Sequence, residues 1–283
     1  MGRYLTILGV VVGLAAIAAP YHTASAQDAG PLRAAADPTF PPFAFRTPAG
    51  VVEGYGVDVG AAVAAKMKRE FEFVPQEWSG IFSGLYAGHF DVIIAPVTIT
   101  AERASSMAFT EGYLETSLGF LTKSDAEMPN LEALKGKTLA VNNGSVSDNW
   151  AKDNAEKYGF EIQRYLNVPD TAQSVQSGRA FAALAETGSM AYLATRQPTL
   201  KVSQTIALGG AFAFAIKPEN LELRNEIDMA LECLKQDGTM ASIYEKWFGF
   251  APPQDSPAVN IVAGYGPEGF DNYDATPHEL ACE

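Results

Sequence analysis

"WSGIFSGLYAGHFDVIIAPVTITAERASSMAFTEGY", Trp78 to Tyr113, decides the fold class, because helix-like and strand-like patterns follow each other directly in it. Ile81 and Leu85 recur at four-residue spacing, which is typical of a helix that packs one side against a core. "FDVIIAP" is a compact apolar run and predicts a buried strand. Thr100 is then a predicted N-cap of a second helix, three residues before Arg103. A helix, a buried strand and another helix in this order indicate an α/β fold.

The same alternation continues along the chain, and it is interrupted twice. "KTLAVNN" predicts another buried strand, and "ASIYEKWFG" predicts a last helix that stops at Gly249. The polar stretch from Lys123 to Asn130 breaks the pattern, and Leu208-Gly209-Gly210 breaks it again. These interruptions predict a middle lobe over residues 118–208, with a first lobe built from residues 27–117 and 209–250.

The N-terminus has the layout of a secretory signal peptide. A short basic start with Arg3 precedes an apolar run ended by Pro20, and Ala24-Ser25-Ala26 forms an A-x-A cleavage site. We therefore expect residues 1–26 to be removed and the protein to be periplasmic. A retained membrane anchor is the alternative, although the apolar run is shorter than the ~20 residues that a span requires.

Composition limits the partners and predicts a covalent link. The formal net charge of −13 argues against nucleic acid and anionic membrane surfaces as partners. Residues 251–283 form an acidic, irregular tail without Lys or Arg. The two cysteines, Cys233 and Cys282, remain after export, where oxidation is favoured, so we predict a disulfide that ties the tail to a helix. Two free thiols are the alternative.

Catalytic signatures are mostly absent from the sequence. Outside the predicted signal peptide only His89 and His278 remain, and neither has metal-binding spacing. There is no G-x-S-x-G elbow, P-loop or G-x-G-x-x-G motif. We therefore expect no catalytic residues, no metal and no cofactor.

Polar and aromatic residues instead follow predicted strands, where open α/β sheets bind ligands. Taken singly, each also has a structural explanation, such as a turn residue, a helix cap or a core aromatic. Their shared position at strand ends makes them candidates for one binding site: Asp37, Phe40, Trp78, Thr98, Arg103, Ser145 and Glu186.

Together, five stretches resemble the family-3 solute-binding proteins that supply polar amino acids to ABC importers. The resemblance covers about Leu32 to Gly249 and rests on "DPTFPPFAF", "GVVEGYGVDVGAAVAAKM", the opening stretch, "GKTLAVNNGS" and "LKQDGTMASIYEKWFG". It implies a type II periplasmic binding fold, with two α/β lobes joined by hinge strands that close on a ligand.

The resemblance also implies a role for each site residue of the first lobe. Arg103 matches the arginine that holds the α-carboxylate, a task that suits its planar fork of donors. Thr98 matches a residue whose hydroxyl contacts the same end of the ligand. Pro96 matches a residue whose main-chain carbonyl accepts a hydrogen bond from the α-ammonium. Phe40 and Trp78 match the aromatics that enclose the ligand side chain.

Further roles fall on polar residues of both lobes. Asp37 matches a residue that reaches the polar end of the ligand side chain. Ser145, with its backbone N–H, matches a carboxylate contact near a helix start. Asn142 matches a position near the ligand side chain. Glu186 stands where the family usually has Asp, and the extra methylene moves that carboxylate by roughly 1 Å, enough to matter in a tightly positioned site.

Two more departures and the charge count complete the sequence prediction. Gly56 stands where related proteins often have a polar residue, and Phe181 replaces a common Asp. Arg103 and Glu186 account for the two charges of an α-amino acid, which leaves Asp37 for a cationic or amide side chain. A second ligand carboxylate would lack a matching cation, and burying it would be costly. A neutral-polar or basic amino acid is therefore the expected ligand, in preference to Glu or Asp.

The leading hypothesis is a monomeric periplasmic binding protein that delivers an amino acid to the membrane subunits of an ABC importer. Two rivals stay open. One is an exported dehydratase-like enzyme on the same scaffold, with Glu186 as a general acid. The other is a soluble ligand-sensing module that docks on a membrane receptor.

Overall fold

The computed structural model of the protein describes residues 1–2 and 30–282. The predicted cleavage site and nearly all of the predicted signal peptide lie outside the described residues. Within the described part of the chain, none of the helices combines the length and apolar character needed to cross a membrane.

The chain alternates strands and helices, as the sequence predicts. The strands are β1 Leu32–Ala36, β2 Thr39–Phe40, β3 Ala44–Arg46, β4 Val52–Glu53, β5 Phe71–Pro75, β6 Val92–Thr98, β7 Ala108–Phe109, β8 Leu114–Lys123, β9 Thr138–Asn142, β10 Glu161–Tyr165, β11 Ala182–Glu186 and β12 Leu200–Ile216. The helices are α1 Tyr55–Lys66, α2 Trp78–Ala87, α3 Ala101–Ala104, α4 Val146–Tyr158, α5 Val168–Gln176, α6 Thr187–Arg196, α7 Leu221–Gln236 and α8 Thr239–Phe248. A short 3-10 turn at Leu131–Leu134 precedes β9.

The principal sheet runs through both lobes. Among the described residues its strand order is β10-β9-β11-β8-β12-β6-β1-β5, with β7 beside β12, and β2, β3 and β4 form a separate small sheet. The long strands β8 and β12 pair antiparallel in the middle of this order. Since β12 also pairs with β6 and β8 also pairs with β11, these two strands join the two lobes.

The apolar cores divide in the same way. One cluster combines buried side chains from residues 32–114 with others from residues 212–258. Two further clusters lie on the faces of the second part of the sheet and take their buried side chains from residues 118–200. The lobes therefore have separate hydrophobic cores, which is the architecture of a type II binding protein.

The break in the pattern at Leu208-Gly209-Gly210 does not interrupt the strand, because β12 continues through the glycine pair. The pairing with β8 shifts register between Ala207 and Ala211 instead. Gly209 has a φ of 68°, a left-handed conformation that glycine adopts without steric cost. The glycines thus mark an irregularity inside a crossing strand and not its end.

The tail after Ala251 is irregular, as predicted, but it is packed onto the first lobe. The disulfide expected from the sequence joins Cys233 of α7 to Cys282, with an S–S distance of 2.02 Å. Ser256 and Ala258 are buried, and the Ser256 hydroxyl donates to Glu115 Oε2 at 2.6 Å. The tail therefore contacts β8, one of the two strands that join the lobes.

Beneath the tail lies a buried polar cluster, which we define as Glu111, Arg224, Asp228 and Lys235. Lys235 Nζ lies 2.8 Å from Glu111 Oε1, and Asp228 Oδ1 accepts from the Glu111 N–H at 2.7 Å. The tail supplies the Gly266 N–H to Asp228 Oδ2 at 2.6 Å. Burial raises the pKa of Asp228 to about 8, although its neighbour Arg224 opposes the shift. The tail thus covers ionisable groups that would otherwise meet solvent.

Candidate ligand-binding site

The corner after β6 holds the arginine that the sequence singles out. The Thr100 hydroxyl accepts the Arg103 N–H at 3.2 Å, so Thr100 is the predicted N-cap of α3. Arg103 Nη1 donates to the Thr98 carbonyl at 3.1 Å, which directs the guanidinium back along the strand. The guanidinium carbon lies 5.5 Å from the Trp78 ring centre and 5.4 Å from that of Phe82. At this distance cation–π attraction helps to hold the side chain in place.

Asp37 organises the start of α2. Its Oδ2 accepts the Trp78 N–H at 2.9 Å, and its Oδ1 accepts both the N–H and the hydroxyl of Thr39, at 2.9 and 2.6 Å. A carboxylate has about four acceptor positions, so these three bonds leave one open. Asp37 therefore has a structural task, which the sequence offered as the alternative, and keeps limited capacity for a ligand.

The second lobe presents the beginning of α4 to the same cleft. Ser145 is its N-cap, and its hydroxyl accepts the Asp148 N–H at 3.2 Å. The Ser145 hydroxyl and N–H both donate to the Asn142 carbonyl, at 2.7 and 3.2 Å. The N–H predicted to meet a ligand carboxylate is thus engaged within the chain in this conformation. Asn142 Nδ2 donates to the Tyr165 carbonyl at 3.2 Å.

Glu186 ends β11 and is the acidic counterpart of Arg103. Burial raises the pKa of Glu186, and the charge of Arg103 partly offsets this shift. Burial likewise lowers the pKa of Arg103, and the negative charge of Glu186 opposes this shift more than that of Glu102 does. Neither side chain forms a salt bridge with any residue in the described ranges. The cleft therefore contains a cation and a carboxylate that influence each other without direct pairing.

Most of the predicted residues line one small cavity between the lobes. They are Asp37, Phe40, Trp78, Pro96, Asn142, Ser145 and Glu186. Thr98 and Arg103 do not line it but lie directly behind, since Arg103 stacks on Trp78 and bonds to Thr98. The cavity has a free volume of about 30 Å³. This is far below the roughly 300–1,000 Å³ of typical ligand pockets, so the cleft is nearly shut.

Four lining residues were not among the candidates: Thr39, Ala95, Asn167 and Val168. Asn167 is the N-cap of α5, and its Oδ1 accepts the Asp170 N–H at 2.9 Å. It lies two residues after the end of β10, so the strand-end argument that selected Ser145 and Glu186 would also have found it. Ala95 and Val168 carry no polar side chain and gave no such signal.

Two departures from the family pattern have a clear structural setting. A Cβ atom at Gly56 would lie 2.7 Å from the Ile94 carbonyl oxygen, so no side chain fits between α1 and β6 here. Phe181 lies outside the cleft cavity, in the second lobe, where the Lys137 ammonium is 5.8 Å from its ring centre. Among the described residues, no three His, Cys, Asp or Glu side chains lie close enough together to hold a metal ion.

A second contact between the lobes lies beside the cleft. The Ser189 hydroxyl of α6 donates to the Pro41 carbonyl at 2.6 Å, and Ser189 is fully buried. Pro41 lies in the first lobe, in the turn that follows β2. This hydrogen bond therefore links the two lobes directly while the cleft is nearly shut.

Comparison with known proteins agrees with this architecture. The chain is 29% identical over 229 residues to the L-arginine-binding protein of Pseudomonas aeruginosa, an alignment that covers 78% of this chain and 88% of the relative. An ancestral arginine-binding protein, solved with arginine and with glutamine, is 34% identical with a TM-score of 0.75, over 78% of this chain and 99% of the other.

A third relative is an ancestral amino acid-binding protein described as a precursor of cyclohexadienyl dehydratase. It is 32% identical with a TM-score of 0.71, over 77% of this chain and 95% of the other. The sequence profile of the bacterial extracellular solute-binding proteins, family 3, matches residues 32–250. This match covers both lobes and the whole cleft, and the chain therefore belongs to family 3 of the bacterial extracellular solute-binding proteins.

Proposed function

We propose that this protein binds a neutral-polar or basic α-amino acid between its lobes and delivers it to the membrane subunits of an ABC importer. The observation that carries the proposal is the pair of opposite charges, Arg103 and Glu186, at one cleft without salt-bridge partners among the described residues. An α-amino acid carries the complementary pair, a carboxylate for Arg103 and an ammonium for Glu186. Such a ligand would replace part of the hydration that burial removes from both groups.

The walls of the cleft favour certain side chains. Phe40 and Trp78 offer apolar surface, while Asp37 retains one acceptor position. A guanidinium, ammonium or amide group could donate to that position, whereas a second carboxylate would be repelled by Asp37 and Glu186. The relatives named for arginine, and the ancestral protein bound to glutamine, support the same ligand class.

Entry of the ligand requires movement of the lobes. A free volume of about 30 Å³ does not admit an amino acid, so the cleft must open for binding and close again around the ligand. Closure favours the bound state only if contacts form that the open state lacks. We assign residues 27–117 and 209–250 to the first lobe, residues 118–208 to the second and residues 251–283 to the tail.

A thermal-shift screen of the mature protein tests the ligand class. A ligand that binds only the native state raises the melting temperature. We expect arginine, ornithine, lysine or glutamine to give the largest shifts. A largest shift with glutamate or aspartate would refute the preference, and no shift with any amino acid would refute the function.

The location follows from the same proposal. We propose that residues 1–26 are a cleaved signal peptide and that the mature monomer acts in the periplasm. Intact mass analysis of the protein from a periplasmic extract should give a chain that begins at Gln27. A chain that keeps the apolar N-terminus in the membrane fraction would support the anchor instead.

One observation favours an enzyme as the second candidate. Burial raises the pKa of Glu186, and a raised pKa favours the protonated form that a general acid requires. The named relatives are binding proteins, so we rank this candidate second. Incubation with arogenate and analysis for phenylalanine distinguishes the two, since a pure binding protein releases none.

A further inference from the structure

A second cavity of about 410 Å³ lies between the lobes, on the other side of Glu186 from the cleft. Its walls come from α6 of the second lobe, from α8 of the first, and from the joining strands β8 and β12. Among the described residues, Glu186 is the one that lines both cavities. The second cavity is thus separate from the amino acid cleft but adjacent to it.

Aromatic side chains supply much of the wall of the second cavity. They are Phe43, Tyr192, Phe212, Tyr244, Trp247, Phe248 and Phe250. Several of these rings pack on one another, with 4.6 Å between the centroids of Tyr244 and Phe248 and 5.6 Å between those of Tyr244 and Phe250. Mutual packing fixes the rings in place, so the cavity has a preformed apolar surface.

The charge of this wall has one sign. Glu115 and Glu186 line the second cavity, and none of its lining residues in the described part of the chain is Lys, Arg or His. The Ser256 hydroxyl donates to Glu115 at 2.6 Å, which keeps that carboxylate in position. Ala191, Thr195 and Phe250 are exposed at its rim, so a solute can enter from solvent.

We propose that the second cavity binds a small organic cation of the arylalkylammonium class. Aromatic rings attract a cation through their π faces, and the Glu115 carboxylate supplies the opposite charge. The aryl group of such a ligand would fill apolar space between α6 and α8, and an anion would meet only like charge. This inference does not depend on the proposed amino acid ligand, because Glu115 and the aromatic rings line the second cavity and not the cleft.

Calorimetric titration with phenethylammonium tests the proposal, and 2-phenylethanol and 3-phenylpropanoate serve as neutral and anionic probes of similar shape. We expect the ammonium to bind about tenfold more tightly than the alcohol, with the carboxylate weakest. Equal affinity for the three probes, or no binding of the ammonium at millimolar concentration, would overturn the proposal.

A filled cavity provides the matched test. In Ala191→Phe the new ring would occupy the second cavity, so phenethylammonium binding should fall about tenfold or more. Ala65→Phe adds the same ring at an exposed position of α1 and should change nothing. Arginine binding should persist in both variants, because neither residue lines the cleft. Unchanged phenethylammonium affinity in Ala191→Phe would overturn the assignment.

Tryptophan emission distinguishes the two cavities. Trp247 lines the second cavity and Trp78 lines the cleft. The emission change caused by phenethylammonium should therefore remain in Trp78→Phe. Loss of the change in that variant would place the cation in the cleft and refute the second site.

Discussion

The guanidinium of Arg103 lies over the ring of Trp78, 5.5 Å from its centre, and this contact connects the corner after β6 with the first residue of α2. The Trp78 N–H in turn donates to Asp37, so three of the predicted binding residues form one continuous set. The stack holds a half-buried cation at the cleft that forms no salt bridge with any residue described by the structure. The arginine is therefore oriented before any ligand arrives, which reduces the entropy that binding must overcome.

We predict that Arg103→Ala lowers the affinity for the bound amino acid by about 3 kcal/mol or more, since hydrogen bonds to charged groups contribute about 1.5–3 kcal/mol each. Arg103→Lys should recover only part of this, because an ammonium lacks the planar fork. Isothermal titration measures both. Arg179→Ala removes an exposed arginine that bonds to Ser177 outside the cleft and serves as the control. Near-native affinity in Arg103→Ala would contradict the site assignment.

We predict that amino acid binding releases a proton from Glu186 when the pH lies at or below the pKa of this group in the free protein. Burial raises the pKa of this carboxyl group in the free protein, and a ligand ammonium would favour its charged form and lower that pKa. Affinity should therefore increase as the pH rises toward the pKa of the free protein and become constant above it. Calorimetry in two buffers of different ionisation enthalpy measures the released proton.

Glu186→Gln provides the control for this pH dependence. The amide cannot titrate, so the variant should bind more weakly and show no proton release attributable to this position. The same pH slope in Glu186→Gln and in the unaltered protein would assign the proton to another group.

We predict that Ser189→Ala weakens amino acid binding through closure and not through ligand contact. The Ser189 hydroxyl bonds to the Pro41 carbonyl across the lobes at 2.6 Å and does not line the cleft cavity. Its loss should cost about 1 kcal/mol, or roughly fivefold in Kd. Stopped-flow measurement should show faster dissociation with little change in association. Ser83→Ala removes an exposed hydroxyl that bonds only within α2 and should leave both rates unchanged.

We predict that Cys282→Ser lowers the free energy of unfolding by about 2–4 kcal/mol, because the cross-link spans 49 residues and its loss frees the tail in the unfolded chain. Urea unfolding measures the change. The double variant Cys233→Ser/Cys282→Ser should match the single one if the cross-link itself is responsible. Equal midpoints for Cys282→Ser and the unaltered protein would show that the tail stays in place without its disulfide.

Local patterns were sufficient to predict much of the fold. Residues close in sequence determine three features that are present in the structure. These are the N-cap at Thr100, the N-cap at Ser145 and the end of α8 at Gly249. The glycine pair was misread because the pairing with β8, which sustains β12 through Gly209 and Gly210, is a long-range interaction. The exact lobe boundaries and the ligand contacts stay predictions.

The site was harder to predict for a physical reason. The one-letter sequence shows that Asp37 is acidic, but not that Thr39 and Trp78 use three of its acceptor positions. Likewise, it does not show that Glu186 borders two cavities, because the second cavity forms only when the folded chain brings α6 and α8 to opposite walls of it. The residue types indicate the chemistry of the cleft. The number of acceptor positions left for a ligand depends on tertiary contacts, which the residue types do not show.

The tail over the buried polar cluster has a consequence for the order of folding. The second lobe takes its core from one continuous stretch and can form as soon as that stretch has been synthesised. The first lobe needs residues from both ends of the chain, and Asp228 gains its last partner, Gly266, only near the C-terminus. During synthesis the N-terminal segment of the first lobe therefore stays exposed until the C-terminal segment arrives, and in that interval aggregation and chaperone binding compete with folding.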